Sequence, residues 1–234
     1  MPRSFQKPLP PAEPGASPVN AVPPVILVLV LVVAVVEGAA SLGALGVVGG
    51  PAAIGWRAAL IERFAVSPTV LDYALHGHAE LLPRFVLYAF VQGSAVHAAF
   101  GAALLLALGK FVAEGMGQAR ALSVFLVATV VGGFVFGAVL SGAQPLLGPY
   151  PGIYGLIGAF TYLLWLRLGR TGGSRIAAFR MIGSLMAIQL MFGVLFGANP
   201  HWVADLGGFV SGGLTAIAVA PGGPSALLAR LRTR

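Results

Sequence analysis

Two pairs of residues in this chain have the types and spacing to do chemistry. Ser94 stands three positions before His97 in the stretch PRFVLYAFVQGSAVHAAFGAALLLALGKFVAEGMG. On one helix that spacing puts both on a shared face, where an imidazole can take a proton from a hydroxyl. Gln92 lies five before the same histidine. The stronger expectation is structural, because small and polar residues in apolar helices usually hydrogen-bond a neighbouring helix. The other two groups are acids set in apolar runs. Glu37 lies in VPPVILVLVLVVAVVEGAASLGALGVV and Asp205 in NPHWVADLGGFVSGG. A carboxyl at the centre of a lipid-embedded helix costs on the order of 2.5–3.5 kcal/mol, so both acids are expected to face other helices or water. Asp205 reads equally well as a proton-carrying or partner-binding group and as a structural hydrogen-bonding one. No basic residue of the first apolar run lies at the depth of Glu37.

Other chemistry is excluded or weak. The four histidines His76, His78, His97 and His201 fall in three regions without metal-ligand spacing. The chain has no cysteine, so disulfides and thiolate sites are impossible. No metal or cofactor is expected. The net charge of +7 does not point to nucleic acid, since the basic residues sit in short connections between apolar runs.

These residues are positioned by elements suited to lipid. Only 9% of the 234 residues are charged and 58% are hydrophobic, with a mean hydropathy of +0.91. Soluble domains carry about 25% charged residues. The expected fold is all-α and membrane-integral. Six apolar runs are long enough to span: 25–48, 84–109, 119–142, 151–168, 176–198 and 202–220. The first run has a signal peptide as its weaker competing reading. Residues 1–24, rich in proline, read as a disordered tail; 25–220 form one membrane domain; 221–234 form a basic tail. Between the first two runs, WRAALIERF and PTVLDYAL have helical apolar spacing with charges opposite, as in short helices at an interface.

With the N-terminus inside, Arg3, Lys7, Lys110, Arg120, Arg167, Arg170, Arg175, Arg180, Arg230, Arg232 and Arg234 fall on the inner side. Only Arg57, Arg63 and Arg84 fall outside. The positive-inside rule then places both termini in the cytoplasm and the 49–82 region on the outer side. Compactness and the lack of targeting signals suggest a bacterial cytoplasmic membrane.

The stretch GPYPGIYGLIGAF spaces Gly148, Gly152, Gly155 and Gly158 at four, three and three residues. The last run offers Gly208, Gly212 and Ala216 on one helical face. Small residues let membrane helices approach closely, so the fourth and sixth spans are expected to pack face to face. That contact would bring Tyr150 and Asp205 together as a hydrogen-bonded clasp.

Taken together, six spans, an amphipathic first connection, the glycine-rich fourth span and the LGGF of the sixth resemble the rhomboid family. These are intramembrane proteases with a Ser–His dyad. The resemblance runs from about Pro24 to Ala220. It implies that the nucleophile position of the family's Gly-x-Ser-Gly motif is held by Tyr150, with Pro151 in place of the following glycine. The general-base position of Ala-His-Leu-Gly-Gly is held by Asp205. In the second span, the family's two histidines match Gln92 and His97, and the oxyanion asparagine matches Gly101. The family tyrosine that packs on the catalytic histidine is kept as Tyr154, and Pro83-Arg84 resembles the family's loop arginine.

A phenol with a pKa near about 10 and a carboxylate near about 4 make a poor nucleophile–base pair. Gly101 has no side-chain donor for an oxyanion, and Pro151 has no N–H. The resemblance therefore implies a rhomboid-like pseudoprotease. It would bind the transmembrane segments of other proteins, with the bilayer as its other partner. The alternatives are an active intramembrane peptidase with an atypical nucleophile and a structural subunit of a larger membrane complex.

Overall fold

The computed structural model describes residues 21–142, 145–196 and 200–220. Of the expected tails, 1–24 and 221–234, residues 1–20 and 221–234 lie outside the described residues, and Pro24 already belongs to the first helix. The described chain is helical. Its long elements are α1 (Pro24–Ala44), α5 (Ala95–Met116), α6 (Gln118–Val139), α7 (Tyr150–Thr171), α8 (Arg180–Phe196) and α9 (Trp202–Val219). Three shorter helices, α2 (Trp56–Phe64), α3 (Pro68–Leu75) and α4 (Arg84–Leu87), fill the α1–α5 connection. The first two of these coincide with the amphipathic stretches WRAALIERF and PTVLDYAL.

The exposed face of the bundle is apolar. In α1 the buried positions Ile26, Leu29, Val33, Glu37 and Ala40 form one stripe at helical spacing. The rest of the helix presents Leu27, Leu31 and Val35 outward. A helix that is apolar all round with only one face packed is stable in lipid, not in water. Among the described residues five helices, α1, α5, α6, α7 and α9, are long and apolar enough to cross a membrane. Of the six runs expected, the fifth forms α8, whose 17 described residues stand at the lower end of the range that a span takes and adjoin residues outside the described ones.

Boundaries shift where local chemistry competes with hydropathy. The second run was expected to be helical from residue 84, but α5 begins at Ala95. Val91 is extended, and Ser94 is the N-cap, its Oγ accepting from the His97 N–H at 3.2 Å. A serine next to a glycine favours a cap over helix continuation. At the other end, α5 and α6 are joined by Gly117 alone, at φ +95°, a conformation open to glycine.

Helix α7 is the centre of the bundle. Its residues 151–159 are all buried, between α6 and α9. At Gly212 an added Cβ would fall on the Gly155 backbone, and at Gly208 on that of Pro151. At Gly158 it would meet the Phe209 carbonyl and, at 2.7 Å, Gly213 N. The expected stripe on α7 divides, however. Gly152 faces α6, where a Cβ would lie 2.5 Å from Phe125 and Thr129. Gly148 precedes the helix, at φ +86°, against the His97 ring. Spacings of four, three and three drift around a helix of 3.6 residues per turn, so one set of glycines serves two neighbours. The α2–α3 and α6–α7 connections are tied by a two-way bridge, Val66 N to Leu146 O at 3.3 Å and Leu146 N to Val66 O at 2.8 Å.

Candidate active-site region and buried ion pair

His97 is the hub of the first cluster. Its Nδ1 lies 2.9 Å from Gln92 Oε1, while Gln92 Nε2 donates to the Ala89 carbonyl at 3.2 Å. The second bond settles which end of the amide faces the histidine. An amide oxygen only accepts, so Nδ1 carries the proton and Nε2 is the acceptor. Gln92 is 2% exposed, which locks this arrangement in place. Ser94 does not meet the imidazole: as the N-cap of α5, its oxygen accepts from the His97 backbone. The shared helix face needed for a Ser94–His97 dyad is therefore absent.

Tyr150 opens α7 and covers the histidine. The two ring centroids are 4.8 Å apart, tilted by 43°. The phenol donates to the His97 carbonyl at 3.1 Å. A phenol has one proton to give, so the clasp it makes is to α5 and not to the Asp205 carboxylate expected from sequence. Behind it, Gly148 N donates to the Tyr88 carbonyl at 3.0 Å, and Tyr88 donates to the Thr129 carbonyl at 2.7 Å. Gly101 lies one turn beyond His97, and a Cβ there would come within 3.0 Å of Pro149. Its bareness makes room for the α6–α7 connection.

Asp205 sits in the first turn of α9 and is 4% exposed. The positive end of the helix dipole favours a carboxylate at that place. Tyr154, one turn into α7, is buried with Ile157 and Ile182 of α8 around it. Among the described residues no three His, Asp or Glu side chains converge as a metal site. His76 pairs with Asp72 at 3.2 Å and His78 with Glu80 at 2.8 Å, both at the surface.

The second cluster is one that sequence reasoning missed. Glu37, 6% exposed, receives both arms of Arg57: Nη1 to Oε2 and Nη2 to Oε1, each at 2.7 Å. Ser41, one turn on, donates to Oε1 at 2.7 Å and accepts from Arg57 Nη2 at 3.0 Å. Arg57 Nη1 also reaches the Gln92 carbonyl at 3.1 Å. The sequence-based expectation of no base at the depth of Glu37 is thus corrected: the base comes from α2, folded down from the connection. A signal was present, because Arg57 is one of only three basic residues assigned to that side, and it lies on the helix nearest in sequence to the acid. The two clusters join at Gln92, whose carbonyl holds Arg57 and whose side chain holds His97.

The rhomboid-domain family model matches residues 79–222, which is more than half of the chain. The chain belongs to the rhomboid family. The match takes in α4 to α9 and the whole His97–Tyr150 cluster, whereas α1 to α3, including Glu37 and Arg57, lie before it. Family members are intramembrane serine proteases. No curated protein matches the chain.

Proposed function

We propose that this rhomboid-family protein binds transmembrane segments of other membrane proteins without cleaving them. The observation that carries the reading is the placement of Tyr150. At the position where the family resemblance puts the nucleophile, its only proton goes to the His97 carbonyl and its ring lies on His97. A nucleophile needs a free oxygen beside a base. At the position of the general base stands Asp205, and at that of the oxyanion asparagine Gly101, which offers no donor. Losing one oxyanion donor costs hydrolases about 2.7–4 kcal/mol of transition-state stabilisation. The three replacements act in the same direction. We place the protein in the cytoplasmic membrane of a bacterium with both termini inside.

A fluorophosphonate probe and a panel of transmembrane substrates test the reading. The expected result is no labelling and no cleavage above the Tyr150→Phe variant, with photo-crosslinkers on α5 capturing membrane segments in variable, substoichiometric yield. Cleavage that is lost in Tyr150→Phe makes the protein a peptidase with an atypical nucleophile. Capture of one protein in fixed stoichiometry makes it a subunit. For topology, single cysteines in this cysteine-free chain should react with an impermeant thiol reagent in intact cells at position 76 and not at 172.

A further inference from the structure

A groove runs between α7 and α9 on the side away from the His97 cluster. Its walls include Thr161, Trp165, Phe209 and Leu214, and its volume is about 360 Å³. It is open outward, where Val210 is 50% and Leu214 62% exposed. The cause is local: at Gly158 and Gly213 the two helices are bare, so a hollow is left beside their contact. A second cavity of about 540 Å³ adjoins it, sharing Trp165 and Phe179 in its wall and lined further on by Gly169 and Arg175.

Two polar groups along this path are unpaired. The Thr161 hydroxyl is buried, in a residue 3% exposed, without a hydrogen-bond partner among the described residues. Two turns further along α7, over bare Gly169, lies the Arg175 guanidinium, 4.6 Å from the Trp165 ring, and its Nη1 is buried without a hydrogen-bond partner among the described residues. A buried donor without an acceptor is costly, and two on one path imply a ligand that supplies acceptors. Their chemistry differs. Arg175 suits an anionic oxygen, as in phosphate. Thr161 suits a neutral carbonyl about 12 Å deeper than Gly169, two helical turns away. Below them the walls are apolar. From Gly169 to Gly158 the path is about 16 Å long, half of a hydrocarbon core of about 30 Å.

We propose that this groove is a binding site for one anionic phospholipid of the leaflet at the basic end of the bundle. Its phosphate sits on Arg175, an ester carbonyl accepts from Thr161, and one acyl chain fills the hollow between α7 and α9. Arg167, Arg170 and Arg180 belong to the same basic part of the chain and add a general attraction for anionic lipid. The site is independent of whether the fold binds clients.

Native mass spectrometry of the full chain in neutral detergent tests the proposal, with dioleoyl phosphatidylglycerol, dioleoyl phosphatidylcholine and the free headgroup glycerophosphoglycerol as probes. Phosphatidylglycerol should form a 1:1 adduct that outcompetes phosphatidylcholine. Arg175→Gln and Thr161→Val should each weaken it about fivefold. Val210→Trp, filling the groove from an exposed position, should weaken it as well. Thr161→Val removes a hydroxyl that pairs with nothing, so its melting temperature in lipid-free detergent should match the parent. Equal binding of the two lipids, undiminished phosphatidylglycerol binding by both Arg175→Gln and Thr161→Val, or displacement by the free headgroup alone each overturns the site.

Discussion

Two regions of this protein hold helices together in opposite ways. Between α7 and α9 the closest contacts are backbone on backbone, at Gly155, Gly158, Gly208 and Gly212. Between α1 and α2 it is a bidentate ion pair, Glu37 with Arg57, closed by Ser41 and the Gln92 carbonyl. Both meet the same constraint. Lipid tails are as apolar as any side chain, so apolar burial between helices gains little there. What remains is dispersion at very short range or polar bonding out of reach of water. The glycine seam suits two long helices that meet along several turns. The ion pair suits a short amphipathic helix such as α2, which has no buried residue of its own and must be anchored at one point.

The comparison is broken most severely at the seam. Gly212→Leu puts a side chain into the Gly155 backbone, which cannot give way. The expected cost is about 5 kcal/mol or loss of the fold, read as the melting temperature in detergent. Gly152→Leu should also destabilise, but by opening α6 from α7, where its side chain would meet Phe125 and Thr129. A Gly212→Leu protein that melts with the parent would remove the backbone-contact account.

Next comes the ion pair. Arg57→Ala leaves a buried carboxylate unpaired and should cost about 3 kcal/mol. Proteolysis within the 49–82 connection should rise in step. Glu37→Gln keeps an acceptor for Arg57 but loses the charge, for about 2 kcal/mol. With Arg57 beside it, the neutral amide is no longer the harmless change that an isolated acid would allow. Glu37→Lys sets two like charges together and should give no folded protein. If the Glu37→Gln and Arg57→Ala effects add in the double variant, the pair is not coupled and the comparison fails.

The smallest effect belongs to the bridge between α5 and α7. Tyr150→Phe removes one hydrogen bond to the His97 carbonyl and keeps the ring contact, for about 1 kcal/mol. Asp205→Asn should leave that bond intact, which separates the observed clasp from one made to the carboxylate.

Much of the fold was legible in the sequence because hydropathy and helical period are local properties. Apart from the second, the apolar runs marked the helices to within about four residues, and the charge opposition in WRAALIERF and PTVLDYAL marked α2 and α3. The start of α5 was misplaced because a serine cap outweighed an apolar run. At the candidate site the residue types at 150, 205 and 101 were legible by resemblance alone. Their partners were not, since Tyr150 and the His97 carbonyl are separated by 53 positions.

By itself, then, the sequence determined the solvent, the helix count to within one and the family, through composition, period and short motifs. Tertiary structure alone decided which neighbour each glycine faces, because a helix of 3.6 residues per turn turns successive small residues toward different partners. It alone decided that Glu37 has a base, because Arg57 reaches the acid only when α2 folds back on α1. Charge pairing across a chain reversal depends on distance in space, and the order of residues along the chain does not carry it.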